Sequence, residues 1–133
     1  MTSIFLISHG DMAPATQESA EMIMGDMEGV FPLTLQEGDS PEMLTQKIQT
    51  LLESEEVEEQ VLILVDLPGA TPFNIAARMA NENANIGLTS GLNLPMLVEV
   101  YIQRQGLSIG ELEALAKETG QEGIRTFSDL KSR

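Results

Sequence analysis

Apolar residues fall in short blocks along this chain, and each block stops at a glycine or a polar turn. Ile4-Phe5-Leu6-Ile7 and Val61-Leu62-Ile63-Leu64-Val65 are continuous apolar runs, the pattern of strands buried on both faces. Strands are predicted over residues 3–8, 30–35, 61–65 and 86–89, with a short last one over 124–127. Pro32 removes a ladder donor from the second, which places it at a sheet edge. Between the strands the apolar period changes to that of helices. One helix is predicted over residues 13–24, stopping at Gly25. Ser40-Pro41-Glu42 reads as an N-cap, a first-turn proline and a first-turn acid, followed by Leu44, Ile48, Leu51 and Leu52 on one face. Thr71-Pro72 opens another helix, with Phe73, Ala76, Ala77 and Ala80 on one side, and Asn93 caps a third over Met96, Leu97, Val100 and Tyr101. Ser108-Ile109-Gly110-Glu111 has capping-box spacing and starts a helix ending near Gly120. Strands alternating with helices predict a three-layer, doubly wound α/β fold. Its sheet is expected to be mostly parallel, in flavodoxin-like order.

The 133 residues fit one domain spanning 1–133. With no cysteine the chain needs no oxidising compartment. No run approaches the roughly 20 apolar residues that span a bilayer, and the N-terminus lacks a signal-peptide pattern. A soluble cytoplasmic protein is expected. Seven basic residues against 21 acidic ones give a formal net charge of -14. That field disfavours nucleic acid and anionic membrane surfaces and favours a basic protein partner. Much of it is plain solvation, as in Glu53, Glu55, Glu56, Glu58 and Glu59 before a strand.

The candidate chemistry sits at strand ends. The single histidine, His9, closes the first apolar run and is followed by Gly10; Asp66 closes the third. Ligands of open parallel sheets gather outside the carboxyl ends of strands, at the switch point. If the two strands are neighbours, their ends lie about 4.8 Å apart. A carboxylate there accepts the hydrogen of one ring nitrogen and leaves the other nitrogen's lone pair outward. An Asp66 that merely caps its own loop is the competing interpretation. Beyond Asp66, Gly69 allows close backbone approach, and Ala70-Thr71 lead into a helix start with free N–H groups, an anion-binding arrangement. Met12, Leu67 and Pro68 flank this position as an apolar rim, and residues 89–93 close it. There is no P-loop, no G-x-G-x-x-G, no second histidine or cysteine for zinc, and no nucleophile elbow. No metal or cofactor is expected.

Taken together, several runs resemble the enzyme IIA domain of the mannose family of the bacterial sugar phosphotransferase system. They are Ser8-His9-Gly10 with Ala13; Ala20-Glu21-Met22 before Gly25; Leu64-Val65-Asp66; Gly69 with Thr71-Pro72-Phe73-Asn74; residues 93–99; and Glu118-Thr119-Gly120 with Glu122-Gly123. The resemblance implies that His9 accepts a phosphoryl group from the phosphorylated histidine-containing phosphocarrier protein and passes it to a IIB component of a sugar permease. It implies that Asp66 orients the imidazole. It also implies that Thr71 takes the family's Ser/Thr place beside the phosphate; Gly10, Gly69 and Ala70 are read as phosphate-binding with it, and Met12, Leu67 and Pro68, which flank that position, as a docking rim. It implies a five-stranded sheet whose last strand is antiparallel and exchanged in a homodimer. Pro68 and Ala70 stand where the family often has an aromatic and a second glycine. Asp11 adds a negative charge two residues from His9. The sequence stops without a linker or a IIB domain, which is expected of a separate subunit. Three alternatives stand beside this: a phosphotransfer subunit of a dihydroxyacetone kinase, a receiver-like module phosphorylated on Asp66, and a non-catalytic binding module. A histidine phosphatase would need an arginine where Ser8 stands and a second histidine.

Overall fold

The computed structural model describes residues 1–131. The last two residues of the expected 1–133 domain lie outside the described residues. The elements run β1 (Thr2–His9), α1 (Met12–Met24), β2 (Val30–Leu35), α2 (Pro41–Leu52), β3 (Gln60–Val65), α3 (Thr71–Glu82), β4 (Ile86–Ser90), α4 (Leu94–Gln103), α5 (Ile109–Glu122) and α6 (Phe127–Lys131). The sheet order is β2-β1-β3-β4, and all three pairings are parallel. β1 and β3 are the central pair, in register from Thr2 opposite Gln60 to Ile7 opposite Val65. Pro32 lies on the edge strand, as its missing N–H requires.

The apolar runs of β1 and β3 are continuous because both faces of the sheet are covered. Ile4, Leu6, Leu62 and Leu64 face one layer, where Ala13 and Ala20 of α1, Met96, Leu97 and Val100 of α4 and Leu112 and Ala116 of α5 complete a core. Phe5, Ile7, Val61, Ile63 and Val65 face the other, against Leu44 and Ile48 of α2 and Ile75 and Ala76 of α3. Period-two alternation in the strands therefore feeds two separate helix layers. The caps read from the sequence form: Ser40 accepts from the Met43 N–H, and Ser108, in its capping box, from the Glu111 N–H. Among the described residues no helix is long and apolar enough to cross a membrane.

The amino end of the sheet is locked by Arg104. Its guanidinium donates to the carbonyls of Thr2 (3.0 Å) and Glu28 (2.6 Å) and stacks 4.6 Å from the Tyr101 ring centroid. That clamp ties the end of α4 to β1 and to the β2 approach, and the carboxyl end of the sheet is left open for a site.

One expectation is overturned. The sheet has four parallel strands among the described residues, with no fifth, antiparallel strand over 124–127. The α5 helix runs on to Glu122, past Gly120. Thr126 and Asp129 then cap each other reciprocally, the Thr126 N–H on the Asp129 carboxylate and the Asp129 N–H on the Thr126 hydroxyl, each at 3.0 Å. This T-x-x-D box nucleates α6, and a local helix signal wins over a four-residue stretch, Ile124 to Phe127, that is apolar only at its ends and finds no strand beside it.

Candidate functional site

His9 is the last residue of β1, and Asp66 follows the last residue of β3. Because these strands are adjacent, the two side chains meet. His9 Nδ1 lies 2.7 Å from Asp66 Oδ2, and the His9 backbone N–H donates to the same oxygen at 2.9 Å. The other carboxylate oxygen, Oδ1, accepts the Leu67 N–H at 2.9 Å. An ionised carboxylate only accepts, so Nδ1 carries the hydrogen and Nε2 holds the lone pair. Among the described residues Nε2 makes no hydrogen bond. The histidine side chain is 46% exposed and the aspartate only 9%, so the carboxylate is the fixed member and the imidazole the accessible one. Burial pushes the Asp66 carboxyl up. The bonds from His9 N–H, the His9 ring and Leu67 N–H, with the attraction of the ring's charge, outweigh it and hold the group below its ordinary value.

The turn after His9 is set by its neighbours. Ser8 is fully buried; its hydroxyl donates to the Gly10 carbonyl at 3.2 Å and accepts the Ala13 N–H at 2.7 Å, capping α1 from below. Gly10 has φ +56°, a backbone region that penalises side chains, and its N–H donates to Leu35 O at 2.9 Å. Ser-His-Gly is thus a local device: anchor, exposed ring, sharp exit.

The other predicted residues fall on the same rim. Gly69 (φ +77°) and Ala70 carry the chain from Asp66 to α3, whose first residue is Thr71. No side chain caps α3, so its first-turn donors and the Thr71 hydroxyl remain for an anion, less the N–H that Pro72 lacks. Met12 opens α1 and lies 42% exposed. Leu67 is 56% exposed, and Pro68 is exposed beside it in the β3–α3 loop. The β4–α4 loop closes the rim, with Gly91 N–H on Asp66 O (3.2 Å) and Leu92 N–H on Val65 O (2.9 Å). Met12 and Leu92 border a shallow groove of about 290 Å³. Sequence reasoning missed two residues. Ser8 stands out in the sequence only within the Ser8-His9-Gly10 run, not as the cap of α1. Gln36, which follows β2, donates from Nε2 to Asp11 Oδ1 at 2.9 Å, and nothing in the local sequence marks it.

Comparison with known proteins points to one family. Residues 3–117 match the EIIA-man family model, described as PTS system fructose IIA component. The chain is 36% identical over 126 residues to a PTS system mannose-specific EIIAB component of Escherichia coli (strain K12), covering 94% of this chain and 39% of that protein. It spans about two-fifths of the length of these first curated relatives. It is 32% identical over 129 residues to a PTS system fructose-specific EIIA component of Bacillus subtilis (strain 168), covering 97% and 88%. The crystal structure of phosphotransferase system component EIIA from Streptococcus agalactiae superposes with a TM-score of 0.88 at 30% identity, covering 97% of this chain and 99% of that one.

Proposed function

Since this chain belongs to the EIIA-man family of phosphotransferase-system IIA components, we propose that it is a phosphocarrier subunit for sugar uptake with His9 as the phosphoryl acceptor. The observation that carries this reading is the 2.7 Å contact of Nδ1 with Asp66, which leaves Nε2 as the outward nucleophile. The Nε2 lone pair attacks the phosphorus of a phosphorylated histidine-containing phosphocarrier protein. The new Nε2–P bond forms as the donor's P–N bond breaks, and that electron pair returns to the donor imidazole. The Nδ1 hydrogen stays on the ring, and Asp66 stabilises the positive charge the ring acquires. In the second half the acceptor group of a IIB component attacks the phosphorus, and Nε2 leaves with its electron pair.

Gly10, Gly69, Ala70 and Thr71 are assigned to the phosphate, through backbone donors and the Thr71 hydroxyl at the uncapped start of α3. Met12, Leu67 and Pro68 are assigned to docking of the two protein partners, and the acidic field steers a basic partner surface. No metal or cofactor is needed by this scheme. We assign the chain to one domain working in the cytoplasm, and to a homodimer. The family match weighs against the dihydroxyacetone kinase reading. A receiver would place acids where β1 ends on His9.

Incubation with enzyme I, the phosphocarrier protein and phosphoenolpyruvate tests the proposal. Mass mapping should find one phosphoryl group on His9, labile to acid and stable to base. A base-labile acyl phosphate on Asp66 would overturn it in favour of the receiver reading.

A further inference from the structure

Asp11 breaks a local rule. An aspartate at a helix N-cap ordinarily turns its carboxylate onto the second or third N–H of that helix. Asp11 holds the N-cap position of α1 and makes no such bond. The buried Ser8 hydroxyl occupies the Ala13 N–H instead, at 2.7 Å, and the third helical residue, Pro14, has no N–H to offer. The Asp11 carboxylate is directed across to β2, where Oδ1 accepts from Gln36 Nε2 at 2.9 Å.

Gln36 is well placed to hold it. The preceding residue, Leu35, is the register partner of His9 and accepts the Gly10 N–H at 2.9 Å. The Gln36 backbone N–H donates to Asp39 Oδ2 at 2.8 Å. Asp39 is in turn 3.6 Å from Lys47, whose ammonium also donates to Thr34 O at 3.1 Å. Strand pairing and this small network fix the backbone from which the amide reaches Asp11.

We propose that Gln36 is a positioning residue for phosphotransfer, holding the Asp11 carboxylate aside from the phosphoryl group on His9. The inference rests on the reading that His9 is the acceptor. A phosphoryl group there brings roughly two negative charges, and Asp11 is two residues away. With the Ala13 N–H taken by Ser8 and no N–H on Pro14, an Asp11 released from Gln36 finds no cap on α1 and is free to swing toward His9, where its charge opposes the phosphoryl group. An amide restrains the carboxylate without presenting a cation that would compete for the phosphate. Asp11 is solvent-exposed, so a near-aqueous dielectric applies, and a carboxylate brought within roughly 10 Å of a doubly charged phosphoryl group opposes it by about three- to tenfold in the transfer equilibrium and rate.

The test is rapid-quench transfer from the phosphorylated phosphocarrier protein to the unsubstituted chain, Gln36→Ala, Asp11→Asn and the double variant. Gln36→Ala should slow transfer about three- to tenfold, and the deficit should shrink as salt is added. Asp11→Asn should restore the double variant to the unsubstituted rate, with melting temperatures alike throughout. A Gln36→Ala rate equal to the unsubstituted one overturns the proposal. So does a slow rate that Asp11→Asn does not rescue, which would make Gln36 a fold or docking residue. Failure of the functional reading shows separately: the unsubstituted chain would then take no phosphoryl group on His9, and both proposals fall.

Discussion

At the scale of the residue, one carboxylate does most of the organising. Asp66 accepts three N–H groups, two of them from His9, and its carboxyl is thereby held below the ordinary value despite burial. The folded chain binds fewer protons at this group than the unfolded chain. Its contribution to stability is complete above the ordinary carboxylate range and is lost as pH falls through the lowered folded value. Asp66→Asn should therefore flatten the acid limb of urea-unfolding stability. It should also slow phosphotransfer on the order of 10²-fold, since the amide still orients the ring but no longer supports its positive charge. A folded Asn variant with unchanged transfer would make Asp66 a structural residue only. This pair was legible because each member ends an apolar run, and adjacent parallel strands bring such ends together. The Gln36–Asp11 contact was not legible, because it depends on the His9–Leu35 register across 25 residues of chain rather than on any local pattern. Ser8 was half legible: its place in the turn could be read, its bond to the Ala13 N–H could not.

At the scale of the element, the starts of α2, α3, α4 and α5 were readable from their caps and prolines, whereas the Thr126–Asp129 box that starts α6 was not. Ser40, Asn93 and Ser108 cap where their side chains predict, and Pro41, Pro72 and Pro95 sit in first turns. The strand over 124–127 failed because apolar composition says nothing about whether an edge is available. The adjacent edge of the sheet is β4, and there the Leu88 N–H is already taken by Glu113 Oε2 at 2.9 Å, while Thr89 Oγ1 donates to Glu113 O at 3.3 Å. A carboxylate from α5 thus satisfies an edge donor that would otherwise recruit another strand. Glu113→Ala should cost about 1–3 kcal/mol by urea denaturation, the range for a partly buried hydrogen bond to a charged group and the orphaned donor it leaves. Glu118→Ala, on the exposed side of the same helix, should stay within about 0.5 kcal/mol of the unsubstituted chain. Equal effects would mean that Glu113 does not guard the β4 edge.

At the scale of the whole molecule, charge and tail pull in opposite directions. A single copy leaves Ile124 80% and Phe127 77% exposed, with Leu130 beyond them. Ile124 also borders an open groove of about 660 Å³ between β4 and α5, together with Leu88, Met96 and Ala114. Apolar side chains grouped on one short tail beside an apolar-lined groove are what a second copy would cover. Against that stands the charge of -14 on each chain, which a dimer doubles. Burial of the tail is insensitive to moderate salt, whereas the repulsion is screened by it. The expected outcome is a dimer by sedimentation at micromolar concentration that tightens as ionic strength rises. A chain truncated before Gly123 should be monomeric at every salt concentration and keep its α/β signature, since the described core includes no residue beyond Ala116. A full-length monomer under these conditions would remove the homodimer from the proposed function. A dimer in the truncated chain would move the interface away from the tail and the β4–α5 groove, to a face that one copy already presents as solvated surface.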